Sequence, residues 1–315
     1  MSVALKKGRV TVSSQSIAKP LKGLRVGHRK TNWGALILFL APTVIAFLIF
    51  NYYPLVKTIY MSFFSYDAIK PPGPWVGLAN YPQTFRAPSF RTALANTAVL
   101  FGFSLAFGFW VPIIQALLLD AVPRTVHRVA KYLYLLPLAI PTVGTYLIWI
   151  WIWHPDMGMA NAVLRLVGIK PLLWLLDPNL VKLALRIPFI LGGGMSVLIY
   201  LAAIQGVSAD QYESAEIDGA GLMKRLWYIT LPNIWHMVTI LFILTLTGAL
   251  LAFDDVFVMT QGGPGDSSTT LVFGVYRIAF NQLQMGQGAA WAVVILLITL
   301  VATSVQLWLT REERK

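Results

Sequence analysis

The chain has 315 residues, of which 57% are hydrophobic and 12% charged, with a mean hydropathy of +0.66. A soluble domain carries about 25% charged residues, so this chain cannot cover its own surface with polar groups and reads as an all-α integral membrane protein. The absence of cysteine excludes disulfides, thiolate metal sites and cysteine nucleophiles, and the formal charge of +12 is placed for a membrane rather than for nucleic acid.

The first 32 residues hold Lys6, Lys7, Arg9, Lys19, Lys22, Arg25, Arg29 and Lys30 and no acid. A basic tail ahead of an apolar run signals orientation and contact with anionic lipid. Nucleic-acid recognition would need basic and aromatic residues interleaved on one surface, and they are not. The tail is too long and polar for a signal-peptide n-region and no small-residue cleavage site follows it, so it is expected to be an uncleaved cytoplasmic segment.

A spanning helix needs about 20 mostly apolar residues. Six stretches qualify: 33–53, 96–119, 129–153, 181–205, 234–256 and 288–310. In the fourth, Arg186, Pro188 and Gly192 to Gly194 interrupt the pattern. Such residues are tolerated where protein neighbours or a water-filled cavity satisfy the freed backbone, so the glycines imply close helix packing or unwound backbone along a pathway. With the N-terminus inside, the tail, the 120–131 loop, the 206–233 loop and the C-terminal residues hold most of the chain's 25 Lys and Arg, as the positive-inside rule requires. The segments 54–91, 154–180 and 257–287 then lie outside. Trp149, Trp151 and Trp153 are expected to anchor the third span in the interface.

The loop between spans four and five, QGVSADQYESAEIDGAGLMKRLWYITLPNI, is the polar exception. Ser208 with Gln211 forms a capping-box pattern, Asp210, Gln211 and Glu213 favour the first turn, and Gly219 is placed to end the helix in a left-handed cap. Apolar periodicity resumes at Leu222, and Pro232 is expected to introduce the fifth span. Glu213 and Glu216 sit one turn apart, but no histidine, metal-ligand set or nucleophile accompanies them, so no catalytic residue or metal site is expected. The four histidines, His28, His127, His154 and His236, provide no mid-membrane pair for haem. Asp254 and Asp255 close the fifth span, with Arg186 a candidate partner for one of them or for an anionic substrate. No G-x-x-x-x-G-K-[ST] occurs; the glycine cluster at 192–194 lacks the lysine that a phosphate cradle needs.

Glu213-Ser214-Ala215, then Gly219, then Ile229-Thr230-Leu231-Pro232 resembles the EAA loop of binding-protein-dependent ABC importer permeases, with serine in place of the middle alanine. Gln205-Gly206-Val207 and Asp218-Gly219-Ala220 resemble the carbohydrate-type, maltose-permease-like branch. So do Tyr53-Pro54, Lys57, Tyr60, Ser62-Phe63, Val76 to Tyr81, Asn96-Thr97, Leu136-Pro137, and Thr260 to Pro264 with Thr269, Tyr276 and Phe280.

The resemblance implies a basic tail (1–32), a first transmembrane helix with its external loop (33–91), and a permease core of five helices (92–315) carrying the loop 206–233. It implies that the short helix couples to a cytoplasmic ATPase through Glu213, Ser214, Ala215, Asp218, Gly219, Leu231 and Pro232. It places the pathway of a sugar or related carbohydrate, a di- or oligosaccharide or a sugar phosphate, at Pro188, Leu191, Gly192, Met195, Thr245, Ala249 and Ala252, and contact with an external binding protein at Gly262, Gly263 and Pro264. The expected assembly pairs this chain with a second homologous permease on two ATPase subunits, which bind the ATP and magnesium; this chain itself binds no cofactor. The expected location is a bacterial or archaeal plasma (inner) membrane with both termini cytoplasmic. The alternative, a stand-alone ion-coupled secondary transporter, predicts paired ionisable residues at mid-span and two repeated halves, and neither is visible.

Overall fold

A computed structural model describes residues 33–67, 73–192 and 194–311; the basic tail, Gly193 and residues 312–315 lie outside them. Among the described residues the secondary structure is helical apart from one isolated bridge between Phe64 and Trp75. Four helices among the described residues are long and apolar enough to cross a membrane: Leu36–Met61, Pro88–Asp120, Leu222–Leu250 and Met285–Trp308. A bent pair, Val181–Ile190 with Gly194–Gln205, passes the same test as one broken span.

The chain divides into Met1–Tyr53 and Pro54–Lys315. In the first unit Trp33–Phe47 forms an α-helix that a π turn, Leu48–Tyr52, continues. Leu38, Phe39 and Phe50 are each at least three-quarters exposed, at 77%, 83% and 75%, as expected of side chains that meet lipid or another membrane chain rather than a core of their own.

In the second unit, the stretch expected as the third span is broken. Arg124–Leu135 is an α-helix, Leu136–Ala139 a 3-10 turn, and Thr142–Ile152 a second α-helix opening behind Pro141. Proline restricts the residue before it to extended backbone and donates no N–H, so Pro141 starts a helix rather than continuing one. The second helix begins at Pro88, ahead of the expected 96. The fifth runs back to Leu222 instead of starting at Pro232.

The helix runs through Pro232 because of a π turn. A proline ring clashes with the carbonyl four residues back. For Pro54, Pro112 and Pro232 those carbonyls belong to Phe50, Gly108 and Tyr228, each inside a π turn: Leu48–Tyr52, Ser104–Gly108 and Leu226–Thr230. The wider turn moves the carbonyl aside, and the Leu231 amide bonds to Leu226 instead.

Three clusters of buried residues hold the helices of the second unit together. Ile113, Ala116, Val197, Tyr200, Leu201, Ile234 and Val238 join the second, fourth and fifth spans. Gly194 lets the fourth approach the third: an added Cβ there would stand 2.5 Å from the Tyr134 carbonyl oxygen. Tyr146, Trp153, Val181, Leu185, Val256 and Phe273 form the second cluster. Trp153 is 4% exposed and its ring centroid lies 4.6 Å from that of Trp174. Of the three tryptophans expected at the lipid interface, Trp153 is therefore a core residue, and Trp151, 65% exposed, is the one turned outward.

Candidate functional site

Three places concern function: the loop 206–233, the loop 257–287 before the last span, and a cavity lined by the second, fourth and fifth spans. The short helix Ala209–Ile217 follows Ser208 at its N-cap, but the serine hydroxyl makes no capping bond. Gln211 turns elsewhere, its Oε1 accepting from Asn233 Nδ2 at 3.0 Å. The capping-box expectation is thus half right: the boundary holds and the reciprocal bonds do not.

The other end of this helix matches the sequence in detail. Gly219 has φ +71°, the Ala220 amide donates to the Ala215 carbonyl at 2.8 Å, and the Gly219 amide donates to Glu216 at 3.0 Å. This pair of bonds is the Schellman closure, which needs a left-handed residue at that position. Arg225 pins the turn from outside, its Nε donating to Ala220 O at 2.9 Å and its Nη1 lying 3.3 Å from Glu216 Oε2. Tyr212 and Thr230 hydroxyls meet at 2.9 Å, which ties the short helix to the base of the fifth span.

No residue of Ala209–Ile217 is buried. Glu213 has no ion-pair partner among the described residues, and Glu213, Ser214, Asp218 and Gly219 are all exposed. Ile217, at 87% exposed, and Leu222, at 83%, add apolar surface to the loop; Leu222 is the residue at which apolar periodicity resumes, whereas Ile217 has no place in the sequence analysis. Isoleucine directly after Glu216 in a polar helix was the available signal. Leu231, by contrast, is 8% exposed and belongs to the inner core, beside the exposed Pro232.

In the outer loop Gly262, Gly263 and Pro264 form a tight turn. Gly262 has φ +82° and no room for a side chain, since a Cβ would lie 2.5 Å from Thr269 Oγ1. Thr269 and Ser268 hydroxyls donate to the Gly262 and Gly263 carbonyls, and Arg277 pairs with Asp266. Asn96 donates to the Asp266 and Thr269 carbonyls at 2.8 and 3.0 Å, while Thr97 Oγ1 accepts from the Leu271 amide. The Asn-Thr pair of the second span thereby fixes the loop that follows the fifth.

Inside, Ser104, Gly108, Tyr146, Arg186, Phe189, Ser196, Thr245, Gly248, Ala249, Ala252, Asp254 and Asp255 line a cavity of about 350 Å³. Of the residues that the resemblance places along a sugar pathway, Thr245, Ala249 and Ala252 line this cavity, whereas Pro188 and Met195 are not among its lining residues. Met195 is 55% exposed, one helical face away. Nothing is described of the Leu191 and Gly192 side-chain surroundings.

At the cavity's outer end Arg186 Nη2 and Asp255 Oδ2 lie 3.0 Å apart, with side chains 6% and 3% exposed. The sequence left Arg186 between an aspartate and a substrate, and the structure pairs it with Asp255. The contact is an ion pair without hydrogen-bond alignment, and Arg186 Nε has no hydrogen-bond partner. The guanidinium also lies 5.2 Å from the Phe189 ring centroid, a cation–π distance. The sequence reading missed Tyr146, Ser104 and Ser196, although the two serines stand out as hydroxyls inside otherwise apolar runs.

The family model of the binding-protein-dependent transport system inner membrane component matches residues 108–315. The chain belongs to this family. The permease is 31% identical to a sulfoquinovosyl glycerol transport system permease of Agrobacterium fabrum, covering 87% of this chain and 90% of that one. It is 29% identical to the trehalose/maltose transport system permease of Thermococcus litoralis, covering 92% and 97%. In structure it is similar to a chain of a bacterial ABC transporter involved in the import of the acidic polysaccharide alginate, with a TM-score of 0.79, 26% identity, and 90% and 96% of the two chains covered. The permease is thus the membrane subunit of an ABC importer of the carbohydrate type.

Proposed function

We propose that the permease moves a sugar or short oligosaccharide through the cavity beside the Arg186–Asp255 pair, handed over by a binding protein outside and driven by ATP hydrolysis on subunits inside. The observation that carries this reading is the exposed helix Ala209–Ile217, closed by Gly219 and bolted through Tyr212–Thr230 to the base of the helix that lines the cavity. A push on the short helix is therefore delivered to Thr245 and Ala249 without a flexible joint between.

Glu213, Ser214, Ala215, Asp218 and Gly219 form the coupling surface, with Ile217 and Leu222 as its apolar part; Leu231 and Pro232 support it from the span. The Gly262 to Pro264 turn receives the binding protein, supported by the resemblance of that stretch and by its rigid bracing. A second homologous permease completes the path, two ATPase subunits hold ATP and magnesium, and the assembly sits in a plasma membrane with both termini inside. A binding protein as partner is supported by a solved alginate transporter in complex with a pentasaccharide-bound periplasmic protein.

Glu213→Lys tests the coupling surface. The variant is expected to insert normally and to lose the ATPase subunits on purification in mild detergent. Normal co-purification with full uptake would refute it.

A further inference from the structure

The cavity is not electrically balanced. Among the described residues that line it, Arg186 is the sole cation, and it faces Asp255. Asp254 lines the same cavity, is exposed, and has no ion pair or hydrogen bond among the described residues. Neither Lys182 nor Arg277 lines the cavity: Lys182 donates to the Ser267 carbonyl at 2.7 Å and Arg277 pairs with Asp266. One carboxylate is left over in a cleft walled by Phe189, Leu244, Ala249 and Phe253. A cleft of one charge sign with low-dielectric walls concentrates solutes of the opposite sign and repels those of its own.

We propose that this cavity admits neutral or cationic carbohydrate and excludes acidic carbohydrate, with Asp254 as the side chain that sets the sign. The inference rests on the reading of the cavity as part of the cargo path. The polar groups suit a neutral polyol. A sugar hydroxyl donates to the exposed Asp254 carboxylate, and the Ser104 and Thr245 side chains on the cavity wall bring further hydroxyls. An acidic sugar would meet Asp254 at close range, and it could not bind Arg186 without competing with Asp255 for a side chain that is 6% exposed. Burial of that side chain behind its own carboxylate separates this site from an open arginine clamp, which recognises carboxylates bidentately.

The chain's lack of cysteine makes a direct test available. Thr245→Cys places a thiol of nearly the native size in the cavity wall, and Ser104→Cys does so from the second span if the first variant does not fold. In the purified complex, with the complex of native chain as the background for thiols of other subunits, each variant is reacted with a trimethylammonium and with a sulfonate methanethiosulfonate of similar size. The ratio of cationic to anionic rate, divided by the ratio for a free thiol in solution, is expected to be about tenfold or more, and Asp254→Asn in the same background is expected to remove most of that excess.

Equal normalised rates, an excess that survives Asp254→Asn, or no reaction with either reagent would overturn the proposal. Uptake of a uronic-acid oligosaccharide by the native complex would overturn it too. Failure of the path reading appears separately, as a complex with the expected thiol rates and no ATP-driven uptake of any sugar.

Discussion

Removing Asp255 alone should be among the most damaging single changes in the permease. Asp255→Ala leaves the Arg186 side chain, 6% exposed, without the carboxylate that now lies 3.0 Å from it. Breaking a buried ion pair by deleting one partner costs about 3–5 kcal/mol, because an uncompensated charge stays behind. Asp254 lines the same cavity and offers partial compensation, so the loss is expected near the lower end, about 3 kcal/mol. Replacing both partners by apolar residues, Arg186→Met with Asp255→Leu, removes the charge with its counter-ion and is expected to restore stability to within about 1 kcal/mol of native. The assay is unfolding of the purified chain in mixed micelles, followed by tryptophan fluorescence, across the full double-mutant cycle. Loss of less than about 1 kcal/mol in Asp255→Ala, or a double variant as unstable as the single one, would refute the claim that this pair is a buried, mutually dependent unit.

Gly219→Ala forces a side chain into φ +71° in open space, since nothing lies within 4 Å of the added Cβ; its cost is purely conformational, about 1–2 kcal/mol, and reconstituted complex is expected to hydrolyse ATP with less sugar moved per ATP. Asn161→Leu deletes bonds to the Pro155 and Leu172 carbonyls and from the Leu172 amide and Trp174 Nε1, all 2.9–3.0 Å; with buried groups left unpaired at about 1–3 kcal/mol each, protease added from outside is expected to cut the 154–180 segment far faster than in native chain. Gly194→Ala drives a Cβ to 2.5 Å from the Tyr134 carbonyl oxygen, where backbone stands on both sides; overpacking of this kind costs about 1–3 kcal/mol, read as a lowered thermal midpoint in detergent.

The parts legible in the sequence were those governed by local rules. Gly219 ends a helix because a left-handed cap can be read from its neighbours, and the structure has that cap at that residue. The apolar stretches were legible because lipid imposes length and composition on each span separately. What escaped depended on partners distant in the chain. Trp153 and Trp151 are indistinguishable as letters, and only the arrival of Trp174 decides which one is buried. Pro232 looked like a helix start because the π turn that accommodates it has no composition of its own. Arg186 could be matched to an acid by charge alone, but its choice of Asp255 over Asp254 is set by which face of the short helix Asp254–Met259 turns toward the fourth span. Met195 lies outside the cavity lining while its neighbour Ser196 is part of it, because the direction in which the fourth span turns after its break cannot be read from position alone.

The central claim is that the chain is a passive channel half moved by an ATPase through its cytoplasmic helix. The most direct measurement is to purify the chain from its own membranes in mild detergent, identify what accompanies it, and reconstitute the result in vesicles with sugar and the binding protein outside and ATP within. The account predicts a second permease and an ATPase in the preparation, with uptake that stops when ATP is withheld. A chain that purifies alone and still carries solute down an ion gradient would contradict it.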